Sequence, residues 1–173
     1  MLYFGLILLL FVLFFLFLFY KKTKKSISDS LGEWSLPLPN SQYINVGRVS
    51  THYIVKGQGE SLILIHGIAA SMIAWRYNFD YLAEHFKVYA LDLKGFGYSS
   101  KLLDEDYTVD GYADFVKSFM DKLEIKNASL AGNSMGGAIS LAMCLKYPHY
   151  VNKLILINSA GFLGKTWISK IIR

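Results

Sequence analysis

Asn127-Ala128-Ser129-Leu130-Ala131-Gly132-Asn133-Ser134-Met135-Gly136-Gly137 decides the reading of this 173-residue chain. A β-type run, NASLAG (127–132), leads into Gly-x-Ser-x-Gly, and an apolar helix-forming stretch, 136–146, leads away from it. The pentapeptide alone is common by chance; its position between a strand and a helix is what makes it specific. So tight a strand-to-helix turn forces the serine into a strained backbone conformation. It presents the Ser134 hydroxyl at the carboxyl end of a sheet, over a helix N-terminus whose unpaired N–H groups and dipole favour negative charge. Gly132 and Gly136 are expected because side chains two residues before and after the serine would collide. Gly137 is expected to let the helix approach the sheet. Ser134 is the candidate nucleophile.

Outward from the turn, strands alternate with helices. SLILIH (61–66) and FKVYALDL (86–93) are short, nearly continuous apolar runs, as expected of strands buried on both faces of a parallel sheet. VSTHYIV (49–55) is β-rich and alternates, and a Gly57-Gln58-Gly59 turn follows. Residues 71–84 read as helix. Val109, Tyr112, Ala113, Val116, Phe119, Met120 and Leu123 repeat at helical spacing behind Thr108, a residue suited to capping. Pro148 ends the helix over 136–146, and VNKLILIN (151–158) supplies another strand. The fold class expected is α/β, a mostly parallel sheet with helices on both faces.

Acyl transfer at a serine requires donors aimed at the oxyanion of the tetrahedral intermediate. Next to Ser134 the N–H of Met135 is one candidate. The loop after SLILIH, His66-Gly67-Ile68, offers the other, at Ile68. His66 precedes the serine and ends a buried strand, so it is expected to order its loop and not to act as the base. The single cysteine, Cys144, lies in an apolar stretch with no metal-ligand spacing nearby. No metal and no cofactor is expected.

Residues 2–20, LYFGLILLLFVLFFLFLFY, are uncharged and free of proline. At helical rise they reach about 28 Å, close to the thickness of a bilayer core. Lys21, Lys22, Lys24 and Lys25 follow, on the wrong side of the apolar run for a cleaved signal peptide. The expectation is a transmembrane anchor over 1–20, a basic flank and linker containing Pro37 and Pro39 over 21–46, and the catalytic-type domain over 47–173. Positive residues tend to stay in the cytoplasm, which predicts a single-pass protein with its domain on that side. The net charge of +5 is mostly these four lysines; the remainder holds 14 basic against 13 acidic residues. With no basic stripe carrying interleaved aromatics, nucleic acid is excluded as a partner.

From Gly47 to Gly161 the chain resembles the first half of an α/β-hydrolase. HGIAAS with Trp75 downstream, LDLKGFGYSS (91–100), GNSMGG (132–137) and YPHYVNKLILINSAG (147–161) carry the resemblance. GNSMGG is similar to the turn of the meta-cleavage C–C hydrolases, and the anchor resembles that of monoacylglycerol-lipase-like members. The resemblance implies acyl chemistry at Ser134, because relatives that form alkyl-enzyme esters carry Asp there. It assigns Asp92 and Gly95 to a structural turn. It also implies an Asp or Glu and then a His after the serine, whereas no Asp or Glu follows Ser134 and the only later histidine is His149. The chain is therefore expected to be the N-terminal part of the fold, cut before the cap and last strands. The activity expected of the complete enzyme is ester hydrolysis of a small lipophilic or lipid-like substrate, the chain itself being expected to be an inactive fragment. A meta-cleavage C–C hydrolase and a non-catalytic membrane protein are the alternatives.

Overall fold

The computed structural model describes residues 12–22, 38 and 40–160. Residues 12–22 are helical with exposed side chains. Among the described residues no helix is long and apolar enough to cross a membrane. Residues 2–11 of the predicted anchor, and Pro37 and Pro39 of the predicted linker, lie outside the described residues.

The compact unit that carries the candidate site begins at Asn40. Its elements are β1 (Gln42–Val46), β2 (Val49–Lys56), β3 (Ser61–Ile65), a short 3-10 turn (Met72–Trp75), α1 (Arg76–Ala83), β4 (Lys87–Leu91), α2 (Val109–Lys122), β5 (Ala128–Asn133), α3 (Met135–Lys146), a second 3-10 turn (Pro148–Tyr150) and β6 (Val151–Ile157). The six strands form one sheet in the order β1-β2-β4-β3-β5-β6. Strands β4, β3, β5 and β6 are parallel, as the apolar runs predict. The sheet is nevertheless mixed, since β2 runs antiparallel to both β1 and β4. Strand β1 falls inside the stretch expected to be linker. Most of its residues are exposed, so it lacks the apolar pattern that would have marked it, and pairing with β2 holds it in place.

Alternation along the strands sorts the core onto two faces. Ile63, Ile65, Tyr89, Leu91 and Leu130 pack with Tyr112, Val116, Phe119 and Met120 of α2 and with Met135, Ile139 and Met143 of α3. On the other face Leu62, Leu64, Val88 and Ala90 are buried beside Phe79 and Ala83 of α1 and the Met72–Trp75 turn. Helix α2 starts where predicted, with the Thr108 hydroxyl accepting from the Gly111 N–H at 3.0 Å. Coverage of both faces does not extend to β6. This outer strand leaves Ile155 and Ile157 exposed among the described residues.

Candidate active site

Strands β5 and β3 are paired so that Gly132 lies beside Ile65, which brings the turn after β5 against the His66-Gly67-Ile68 loop. Ser134 caps α3 with φ 53° and ψ −115°. A non-glycine residue held there costs about 1–3 kcal/mol and persists only where its surroundings over-determine it. Here they do. The Ser134 N–H donates to the Ile157 carbonyl at 3.0 Å, and its own carbonyl accepts from the N–H groups of Gly137 (3.0 Å), Ala138 (3.3 Å) and Ala160 (3.1 Å). Asn133 Nδ2 adds a bond to the same Ile157 carbonyl. The end of β6 thus straps the turn, through contacts 23 to 26 residues away that have no local sequence signature.

The glycines divide the work differently from expectation. A Cβ on Gly132 would lie 2.3 Å from the Gly136 carbonyl oxygen, the collision across the turn that the motif implies. A Cβ on Gly136 would instead lie 2.2 Å from the Ile65 carbonyl oxygen, so this glycine is the one that admits α3 to the sheet. Gly137, expected in that role, faces the Ser159 side chain after β6.

A Cβ built on Gly67 would stand 3.2 Å from Ser134 Cβ, so the Gly67–Ile68 backbone runs directly alongside the serine. Neither the Ile68 N–H nor the Met135 N–H donates to a backbone carbonyl of the described residues. Two free donors on either side of a serine, at the N-terminus of α3, suit a developing oxyanion. Both residues also line a pocket of about 520 Å³. Phe96, Leu102, Leu103, Tyr107, Val109 and Tyr112 make its walls mostly apolar.

Neither buried histidine serves Ser134. Burial holds the His66 imidazole below its ordinary pKa. Its Nδ1–H donates to the Gly67 carbonyl at 2.8 Å, and Nε2 accepts from the Leu93 N–H at 3.1 Å. Accepting that bond requires an unprotonated Nε2, so the ring is neutral and tautomerically fixed. It orders two loops, as expected. His52, in the middle of β2, pairs through Nδ1 with Asp92 Oδ2 at 2.8 Å and through Nε2 with Ser41 Oγ at 2.8 Å. Asp92 also accepts from the N–H groups of Met72 (2.8 Å) and Tyr98 (2.9 Å). Burial pushes its carboxyl up, but these bonds outweigh that and hold it below the usual carboxylate range. The carboxylate is fully engaged in holding its turn. His149 lies on the Pro148–Tyr150 turn, and His85 meets Tyr81 edge to face. Among the described residues no imidazole is hydrogen-bonded to Ser134 Oγ, and no group of His, Cys, Asp and Glu could hold a metal.

One wall of the pocket rests on a polar cluster that the sequence does not flag. Lys94 is buried, its Nζ 3.2 Å from Glu105 Oε2 and over the rings of Tyr107, Tyr112 and Phe115. Arg48 pairs with Asp104 and Glu105 from outside. Lys94 thereby ties the loop 101–107 to α2 and the turn after β4, and Arg48 ties it to the turn between β1 and β2.

Comparison with known proteins agrees with this geometry. The family described as "alpha/beta hydrolase fold" matches residues 60–169. Among curated proteins, 2-hydroxymuconate semialdehyde hydrolase of Pseudomonas sp. (strain CF600) is 39% identical over 116 residues, covering 65% of this chain and 41% of that protein. The 2-hydroxy-6-oxo-6-(2'-aminophenyl)hexa-2,4-dienoic acid hydrolase of Metapseudomonas resinovorans is 36% identical over 140 residues, covering 79% of this chain and 48% of its own length. Among solved structures, a membrane phospholipase A described as a bacterial virulence factor superposes with a TM-score of 0.72 at 32% identity, covering 94% of this chain and 53% of that one. The chain therefore spans less than half the length of these curated relatives.

Proposed function

The chain belongs to the α/β-hydrolase fold family, and from that premise we propose that it contributes the nucleophile, Ser134, and the oxyanion donors, Met135 and Ile68, of a serine hydrolase. The observation that carries the reading is the pairing of a strained, over-determined serine with two unpaired N–H groups beside an apolar pocket. The Ser134 oxygen would add to a carbonyl carbon, its proton passing to the histidine that the resemblance implies and from there to the leaving group, while the two N–H groups would hold the oxyanion. Collapse would expel the leaving group and leave an acyl-enzyme for water to cleave. Gly132 and Gly136 act by permitting this backbone.

For a serine nucleophile the two bonds in question at this step are a C–C bond and an ester bond. Two curated relatives named as hydrolases of meta-cleavage-type compounds favour the C–C reading over the ester preference drawn from the sequence. The ester reading keeps one specific support, the likeness to a membrane phospholipase A over nearly the whole chain. That same likeness, with the apolar run 2–20 and its four lysines, supports a membrane anchor and a cytoplasmic domain as proposals.

The test assays the protein expressed from its own gene against a 2-hydroxy-6-oxo-dienoate and a panel of p-nitrophenyl esters. Ser134-dependent cleavage of the dienoate at a kcat/KM at least about tenfold above any ester is expected, since roughly 1.4 kcal/mol of selectivity produces that ratio. Efficient ester turnover with negligible dienoate cleavage would overturn the C–C reading and leave the role of Ser134 intact.

A further inference from the structure

The pocket beside Ser134 has one charged side chain in its lining, Lys101. The loop it opens contains three acids, and each is engaged elsewhere. Asp104 pairs with Arg48, Glu105 with Arg48 and Lys94, and Asp106 accepts from the Thr108 N–H at the start of α2. Lys101 has no carboxylate within ion-pair distance among the described residues. Its ammonium donates only to the carbonyls of Gly97 (2.6 Å) and Ser99 (3.3 Å). Lys101 is exposed, and its ammonium has three N–H donors, so two neutral acceptors steady it while leaving one donor and the charge to solvent.

That distribution is informative because the neighbouring cations are neutralised. Lys94 and Arg48, which anchor the same loop, have acids within 3.3 Å. A solvated positive charge beside apolar walls gains modestly from an anion, and more once a ligand displaces water from those walls. We propose that Lys101 selects substrates that carry an anionic group on an apolar acyl chain or ring. The proposal rests on the reading of Ser134 as the reaction centre, since that reading makes this pocket the substrate site. The anion could be the carboxylate of a small oxo-acid or the phosphate of a phospholipid. Both present oxygen acceptors to the same ammonium.

Ligand binding to the full chain tests it without any need for turnover. Hexanoate, hexyl phosphate and hexanol are titrated while the NMR methyl signals of Ile68 and Met135 are followed. At least one anion should bind about fivefold tighter than hexanol, a ratio typical of one partly exposed charge pair. Lys101→Met should remove that advantage with hexanol affinity unchanged, and Lys101→Arg should retain it. A carboxylate preference would indicate a small-acid source, and a phosphate preference a phospholipid. Equal affinity for anions and hexanol, or an advantage that survives Lys101→Met, would overturn the proposal. Absence of any ligand-induced shift would overturn it too. The nucleophile stands or falls separately, on covalent labelling of Ser134.

Discussion

Two sharp turns leave the carboxyl ends of the parallel strands that flank β3, one at Ser134 after β5 and one at Asp92 after β4. Both are fixed by glycines in tight places, yet their side chains meet opposite fates. Every oxygen of the Asp92 carboxylate is claimed, by His52, Met72 and Tyr98. Among the described residues Ser134 is held through its backbone alone, by Ile157, Gly137, Ala138 and Ala160. A turn whose polar side chain is consumed in making it is structural. A turn held by main-chain bonds leaves its side chain available for chemistry. The contrast separates the two positions more sharply than motif content, because both residues lie in segments typical of the family.

The largest effect expected comes from the glycines, and it distinguishes the two turns. Gly136→Ala should destabilise by at least about 3 kcal/mol or prevent folding, because its Cβ would meet the backbone of β3, which has nowhere to move. Gly97→Ala should also be costly, with φ +50° and a Cβ 2.1 Å from the Asp92 carboxyl carbon. There, however, the obstacle is a side chain. Urea midpoints should show that Asp92→Ala absorbs part of the Gly97→Ala cost, a coupling that Gly136→Ala lacks. Strict additivity of Gly97→Ala and Asp92→Ala would break the account of the second turn.

Asp92→Asn should cost about 3 kcal/mol or more by the same measurement. It removes the charge opposite buried His52 and turns an amide N–H₂ toward one of three donors. In the protein expressed from its own gene, any catalytic loss should follow the loss of folded protein and not exceed it. A role in the chemistry would instead lower kcat in the folded fraction.

A smaller effect lies in the pH dependence. The folded pKa of His66 is below its ordinary value of 6.5, so between the two the unfolded chain binds more protons. Stability from this group is complete above about pH 6.5 and declines as the pH falls below it. Asp92, lowered from 3.8, keeps its contribution above that value and loses it as the pH falls further. Melting temperatures should therefore fall in two stages on acidification, and His66→Gln should flatten the first. A single stage beginning near pH 4 would contradict the neutral, doubly bonded state of His66.

Much of this was legible from the residues. Strands β3 and β4 announce themselves because burial on both faces makes them nearly continuously apolar, and α2 because its period and its Thr108 cap agree. The turn at Ser134 was legible because strand, glycines and helix must coincide there. What escaped was nonlocal or polar. Strand β1 is mostly exposed, so nothing in QYINV separates it from a linker until β2 pairs with it. His52 sits at an inward position of β2 as any apolar residue would, and only Asp92, 40 residues on, gives it a reason. Lys94 and Glu105 read as solvated loop charges until the aromatic rings of α2 and Tyr107 close around the lysine. Strand β6 was legible as a strand from its apolar run, but its place at the edge of the described sheet is set by pairing with β5.

The contrast between the two turns reduces to one question, whether Ser134 reacts. A fluorophosphonate probe should be incubated with the protein expressed from its own gene, and the adduct located by peptide mass spectrometry. The account predicts a single adduct on the peptide carrying Ser134 and no labelling of Ser134→Ala. The loss should be clear, since removal of a catalytic nucleophile costs several orders of magnitude in rate. Labelling that persists in the folded Ser134→Ala protein, or an adduct mapped to any other residue, would contradict it.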